Sequence, residues 1–444
     1  PLAIDVKASP AQWTATPGAT WVKIERTDDR TLTITADDND TGAERNTTVT
    51  IDAGEASQTI TVTQLPKDSA IARYRKLDTF QMGAAMSPSG TYAGGFVPSI
   101  AADDSWLYSP TIINLETGET YQFGPYPEAL HYLTQTMCIT DQGLLFISDG
   151  AHGGQIAINL DGDIIEPEAP AGYQFKPEVQ GTSADGKYWV GYAVKEAGGL
   201  YYPLLWTDGT PAELPMLDLN YRDEEIWVGV MARGISANGE IIYGTSWEGS
   251  DFGMLYWINN GANTDKPKWV GHDIKVVTPV VMKMPDGTEY DYHIVNGCIC
   301  TAELTKISPS GKWIATTYRT EEVAEGATSL LTTQRAAFFN TETETTTVVD
   351  DYGDSTGVHV TDDGIGFIGI GTLGISSGAV YDLNTGTDLG STQDWVYDNY
   401  GIIIPSGYIN YISADGRFVL GTKAESSAMG VSFINWYIAP PLAK

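Results

Sequence analysis

Sugar rings expose apolar C–H faces that stack on indole and phenol rings, while their hydroxyls need carboxylate and amide partners. The segment Gln393-Asp-Trp-Val-Tyr-Asp-Asn-Tyr400 interleaves both kinds of group. Trp395, Tyr397, Asp398 and Tyr400 are therefore the first candidates for ligand contact, joined by Trp247, Trp227, His131 and Tyr132 from other segments. Tyr126, Tyr173, Phe175 and Tyr221 add aromatic surface, and Glu224, Glu225, Asp251, Asp394 and Asn399 add polar groups. The mixture suits a neutral glycan. The competing use for any one of these rings is packing between neighbouring elements.

Catalytic patterns are weak by comparison. Gly374-Ile-Ser-Ser-Gly378 matches the nucleophile-elbow spacing, but that chemistry needs a strand-to-helix turn in an α/β sheet, and the flanking sequence reads as strands and loops. The five histidines, His131, His152, His272, His293 and His359, show no His-Glu-x-x-His or i, i+4 pairing, so no metal site is expected from local sequence. Among 57 acidic residues, carboxylate pairs are always findable and spacing selects none. Asp37-Asp-Asn-Asp40 lacks the alternating ligands and terminal Glu of a calcium loop and reads as a solvated turn. There is no phosphate-binding loop ahead of a helix, and no cofactor is expected.

Composition narrows the classes further. A net charge of −32 repels phosphate backbones and anionic headgroups, which disfavours nucleic acid and membrane-surface partners. No run reaches the roughly 18 apolar residues of a membrane span, so no membrane insertion is expected. The sequence begins with strand-like Pro1-Leu-Ala-Ile-Asp-Val, consistent with a mature fragment. Three cysteines make no disulfide framework, and Cys298 and Cys300 at i, i+2 read as buried thiols. With 48 Gly, 22 Pro and abundant Thr, Tyr and Trp, the chain looks all-β.

The elements that must carry these residues fall into two groups. Over residues 1–66, apolar and polar residues alternate at period two, as in Thr31-Leu-Thr-Ile-Thr-Ala and Gln58-Thr-Ile-Thr-Val-Thr-Gln64. So short a set of strands hides its apolar faces only by pairing two sheets, which predicts a small Ig-like β-sandwich with Trp13 and Trp21 in its core. The Trp13…Trp21-Val-Lys-Ile pair, Arg45-Asn-Thr-Thr-Val-Thr-Ile and the closing Ile60-Thr-Val-Thr-Gln64 resemble the BACON domain of Bacteroidetes secreted proteins. That resemblance implies an extracellular, outer-membrane-anchored or periplasmic protein working near polysaccharide or mucin glycans, with the module serving either as a binder or as a spacer.

Over residues 67–444 one pattern returns seven times: Met86-Ser-Pro-Ser-Gly90, Ile139-Thr-Asp-Gln-Gly143, Thr182-Ser-Ala-Asp-Gly186, Ile235-Ser-Ala-Asn-Gly239, Ile307-Ser-Pro-Ser-Gly311, Val360-Thr-Asp-Asp-Gly364 and Ile412-Ser-Ala-Asp-Gly416. The turn glycines are spaced by 53, 43, 53, 72, 53 and 52 residues, the period of a four-stranded blade. A second hairpin follows in each unit, for example Val380-Tyr-Asp-Leu-Asn-Thr-Gly386. This predicts an all-β chain in which a seven-bladed β-propeller follows the sandwich. The units resemble HAF-type repeats and, more loosely, the blades of TolB-like propellers. The seventh unit ends without a fourth strand, and Ile71–Leu77 is expected to supply it and close the ring. Val276–Val295 reads as an inserted hairpin.

If strand one of each blade is innermost, the candidate aromatics share the face of the blade-to-blade connections. The functional expectation is a secreted or cell-surface glycan-binding protein with the propeller as its platform, recognising a polysaccharide or glycoprotein glycan. Two alternatives are a propeller glycoside hydrolase or polysaccharide lyase, which requires convergent carboxylates or a Tyr/His pair in a central pocket, and a scaffold for cell-surface protein partners, which requires a flat apolar patch.

Overall fold

Alternating strands dominate the computed structural model, which describes residues 2–6, 12–41, 45–54, 56–64, 73–77, 84–127, 135–149, 154–197, 199–216, 229–248, 251–261, 264–270, 278–283, 286–294, 296–300, 304–322, 331–371, 377–427 and 430–440. The chain divides into two compact units, residues 1–71 and 72–444.

In the first unit, two three-stranded sheets form a sandwich. One is ordered Leu2–Asp5, Thr31–Ala36, Val22–Arg26, and the other Thr14–Pro17, Arg45–Asp52, Ser57–Gln64. Period-two alternation turns Leu32 and Ile34 inward with Val49 and Ile51, around a Trp13 that is 3% exposed. Trp21 packs on the edge of this cluster under the Arg45 guanidinium, so both tryptophans serve the core. The Asp37–Asp40 turn is a stapled corner. Arg45 Nη2 and Gln64 Nε2 donate to the Asp37 carbonyl, and buried Asn39 donates to Gln64 O.

The second unit contains seven antiparallel sheets in chain order, five of four strands and two of five, the blades of a β-propeller. Their inner strands are Ala85–Met86, Gln135–Ile139, Glu178–Thr182, Gly229–Ile235, the pair Gly297–Ile299 and Lys306–Ile307, Ser355–Val360, and Tyr408–Ile412. The seventh sheet is completed by Arg73–Leu77, antiparallel to Gly430–Ala439, with Leu77 opposite Asn435. This is the closure expected from the missing last strand. Leu77, Phe418, Leu420 and Tyr437 of blade seven share one apolar cluster with Met86, Ala93 and Ile113 of blade one, which seals the ring. The turn glycine Gly90 of blade one has φ +81°, and a Cβ there would lie 2.6 Å from Phe418. Thr278–Lys283 and Glu289–Ile294 form a separate two-stranded hairpin, as expected for the insert.

The repeated Ser/Thr is a buried keystone. Ser87, Ser183, Ser236 and Ser308 are 0% exposed. Each accepts the N–H five residues on, as Ser183 does from Tyr188 at 3.0 Å. Ser183 and Ser413 also donate to the acid two residues on, both at 2.6 Å. Adjacent turns are tied together as well. Asp141 accepts both the N–H and the hydroxyl of Ser89 at 2.8 Å, and Asp362 accepts those of Ser310 at 2.9 and 2.6 Å.

Candidate functional site

The inner strands are not regular. Five of them carry a β-bulge that falls at Met137, Gln180, Arg233, Val358 and Asn410. Each bulged residue lies six positions before the turn glycine of its own blade, as Gln180 does before Gly186 and Arg233 before Gly239. A bulge inserts an unpaired residue and re-aims its side chain. The same offset in blades one and five falls on Ala84 and Thr305. The offset recurs in every blade, and in the five bulged blades the residue is held on a strand.

Ala84, Met137, Gln180, Arg233 and Asn410 line a central cavity of about 390 Å³. Its remaining lining includes Glu178, Tyr192, Lys306, Tyr408, Thr422 and Asn435. The strands can approach this closely because Gly181 and Gly234 follow two of the bulges. A Cβ on Gly181 would sit 2.9 Å from the Gly234 Cα.

Within the cavity, Arg233 Nη1 donates to Gln180 Oε1 at 3.2 Å and Nη2 lies 3.3 Å from the Met231 sulfur. The Tyr192 hydroxyl donates to Glu178 Oε2 at 2.7 Å. Burial, and then the Glu178 charge beside it, hold that phenol protonated well above its usual range. On the opposite wall, Asn410 Nδ2 donates to Thr422 Oγ1 at 2.6 Å, which in turn donates to Asn435 Oδ1 at 2.7 Å. Cys138 also lines the cavity. Burial pushes its thiol up, and pushes the buried Cys300 thiol up to about 11, so neither is an activated nucleophile.

Glu178 and Tyr192 also line a second cavity of about 290 Å³ with Phe175, Lys176, Val194 and Tyr201. Tyr201 meets the Tyr192 ring edge-on at 5.3 Å, and Phe175 is 46% exposed. Tyr173 and Tyr202 pack edge-on behind it at 6.0 Å, with the Lys195 ammonium 4.0 Å from the Tyr202 ring centre. One side of the central cavity thus adjoins an aromatic-walled rim on blade three.

Trp395, Tyr397, Asp398 and Tyr400 line neither cavity. The segment expected to be a connecting loop is a helix, Thr392–Tyr400. Ser391 caps it by accepting the Asp394 N–H at 3.1 Å, and Gly401 at φ 68° ends it with its N–H on Tyr397 O. Trp395 packs edge-on against the buried Phe367 at 5.0 Å and near Tyr400 at 5.9 Å. The Tyr400 hydroxyl is committed to Gly416 O at 2.8 Å. Tyr397, at 52% exposure, and Asp398 face solvent. Tyr126 packs on Tyr108. Trp247 lies on a described strand, but its side chain, together with Trp227, His131 and Tyr132, is outside the described residues, as are Tyr221, Glu224, Glu225 and most of Gly374–Gly378. Among the described residues no group of three His, Cys, Asp or Glu could hold a metal ion.

Residues 11–65 match the family model of the BACON domain, whose description is "Putative binding domain, N-terminal". Residues 11–65 are a BACON domain. No curated protein matches the chain. Among solved structures, the chain is similar to an oligogalacturonate lyase in complex with manganese, with 12% identity, 90% of this chain and 98% of that chain covered, and a TM-score of 0.45. It is also similar to the β-propeller domain of the Trilobed protease from Pyrococcus furiosus, with 9% identity, coverage of 82% and 93%, and a TM-score of 0.41. At these values the propeller behind the BACON domain rests on its own strand topology. No helix among the described residues is long and apolar enough to cross a membrane.

Proposed function

We propose that this protein binds carbohydrate at the cell exterior, in an extracellular, outer-membrane-anchored or periplasmic setting, with the central cavity of the propeller as the binding site and a polysaccharide or glycoprotein glycan as the partner. The observation that carries this reading is the ring of bulge residues. Gln180, Arg233 and Asn410 present hydrogen-bonding groups at one level of a cavity whose volume fits a small ligand. The adjoining rim offers the faces of Tyr192, Tyr201 and Phe175 to sugar C–H surfaces. The BACON domain is consistent with a binding role and leaves the ligand of the propeller open.

The hydrolase or lyase alternative needs a second carboxylate or a Tyr/His pair beside Glu178. Among the described lining residues Glu178 is the one carboxylate and there is no histidine. Titration of the intact chain against a panel of plant, mucin and microbial glycans tests the proposal. Saturable binding that falls at least tenfold in Gln180→Ala and Asn410→Ala supports it. Binding to no glycan, or binding indifferent to both changes, refutes it.

A further inference from the structure

The chain carries 25 Lys and Arg against 57 Asp and Glu, yet two cations, Arg233 and Lys306, line the central cavity beside a single described carboxylate. That carboxylate is engaged elsewhere, since Glu178 Oε2 accepts from the Tyr192 hydroxyl at 2.7 Å and from Gln180 Nε2 at 3.4 Å. Arg233 forms no ion pair among the described residues. Its Nη1 has a neutral amide oxygen, its Nη2 a sulfur, and its buried Nε no acceptor. The guanidinium is half-buried, with the Tyr192 ring centre 5.4 Å from its Cζ and no described anion beside it, and its planar fork matches a carboxylate in geometry as well as charge. The strand bulge at Arg233 fixes this group at the level of Gln180 and Asn410, where a sugar hydroxyl finds amide partners.

We infer that Arg233 is the specificity-determining residue of the cavity and that the ligand carries a carboxylate, making the preferred glycan a uronic acid-containing one. This rests on the carbohydrate-binding reading, and it replaces the neutral glycan suggested by the connecting-loop aromatics with an acidic one suggested by the channel. Lys306 adds to the favourable potential, and the Tyr192 and Tyr201 rings stand on the adjoining rim.

Isothermal titration of the intact chain with sodium glucuronate, sodium galacturonate, methyl glucuronate, glucose and sodium succinate tests it. The expected result is that a uronate binds at least tenfold more tightly than methyl glucuronate or glucose. That ratio should collapse towards one in Arg233→Gln and take an intermediate value in Arg233→Lys, which keeps the charge and loses the fork. Unfolding midpoints confirm that both variants fold, and the lysine variant keeps the test available if the glutamine variant does not. Equal binding of acid, ester and neutral sugar, or a ratio unchanged by either substitution, overturns the inference and leaves carbohydrate binding standing. Succinate bound as tightly as the uronates, with loss in Arg233→Gln, keeps the carboxylate subsite and overturns the carbohydrate reading. Binding of none of the five overturns both.

Discussion

Arg233 and Gln180 occupy the same place in consecutive blades, each six residues before its turn glycine, and the guanidinium of one donates to the amide oxygen of the other at 3.2 Å. A structural repeat therefore doubles as a set of chemically different side chains, five of which line the central cavity. The turn motif and the buried serine build the blade, and the bulge behind them supplies the position free to vary.

The Ser-Pro-Ser-Gly turns of blades one and five are each followed by a Thr-Asp-x-Gly turn, and the aspartate of the second clamps the second serine of the first. Hydrogen bonds to an ionised acceptor contribute more than neutral ones, tempered here by solvent access. Asp141→Ala and Asp362→Ala should each cost about 1 kcal/mol, and the two should add, because they tie different blade pairs. Urea unfolding of the single and double variants checks this.

His359 is 0% exposed, lies 5.2 Å from the Tyr411 ring and accepts the Ile412 N–H through Nε2 at 3.1 Å. Burial, and then the Lys306 charge, lower its pKa to about 3, with Asp362 opposing them. The unfolded chain takes up this proton near pH 6.5 and the native chain only near pH 3. The contribution of neutral His359 to stability is thus present above pH 6.5 and is lost as pH falls towards 3, at about 1.4 kcal/mol per pH unit. Denaturation midpoints of the wild type between pH 7 and 4.5 should fall more steeply than those of His359→Gln. Parallel curves would exclude this residue as a source of acid sensitivity.

Trp395 reads from the structure as a packing residue on Phe367 and Tyr400. Trp395→Ala should lower stability by about 2 kcal/mol, below the cost of a fully buried ring because the indole is half-buried. Differential unfolding of wild type and variant measures this, and an unchanged midpoint would assign the indole another role.

Much of this organisation was readable in the sequence. Period-two alternation exposed the sandwich, and seven Gly turns at blade spacing exposed the propeller. The absent fourth strand of the last unit pointed to Arg73–Leu77. The lining of the central cavity is not legible in the same way, because aromatic density points to long connections, where rings such as Trp395 also serve packing. The helix at Thr392–Tyr400 was missed although Ser391 and Asp394, three apart, are an N-terminal capping signal. Gln180, Arg233 and Asn410 look unremarkable one at a time. They stand out only when the repeats are aligned on their turn glycines and the offset of six is read across blades, and nothing in local sequence shows that a bulge there turns the side chain into the channel.

On the proposed function, ligand enters the propeller channel rather than resting on the Thr392–Tyr400 helix. The direct measurement is binding of one glycan, chosen as the strongest from the panel, to Ala84→Phe, which fills the cavity from blade one, and to Tyr397→Ala, which removes the most exposed ring of the helix. Loss of binding in Ala84→Phe with wild-type affinity in Tyr397→Ala is the predicted result. Wild-type affinity in a folded Ala84→Phe together with loss in Tyr397→Ala would contradict the account.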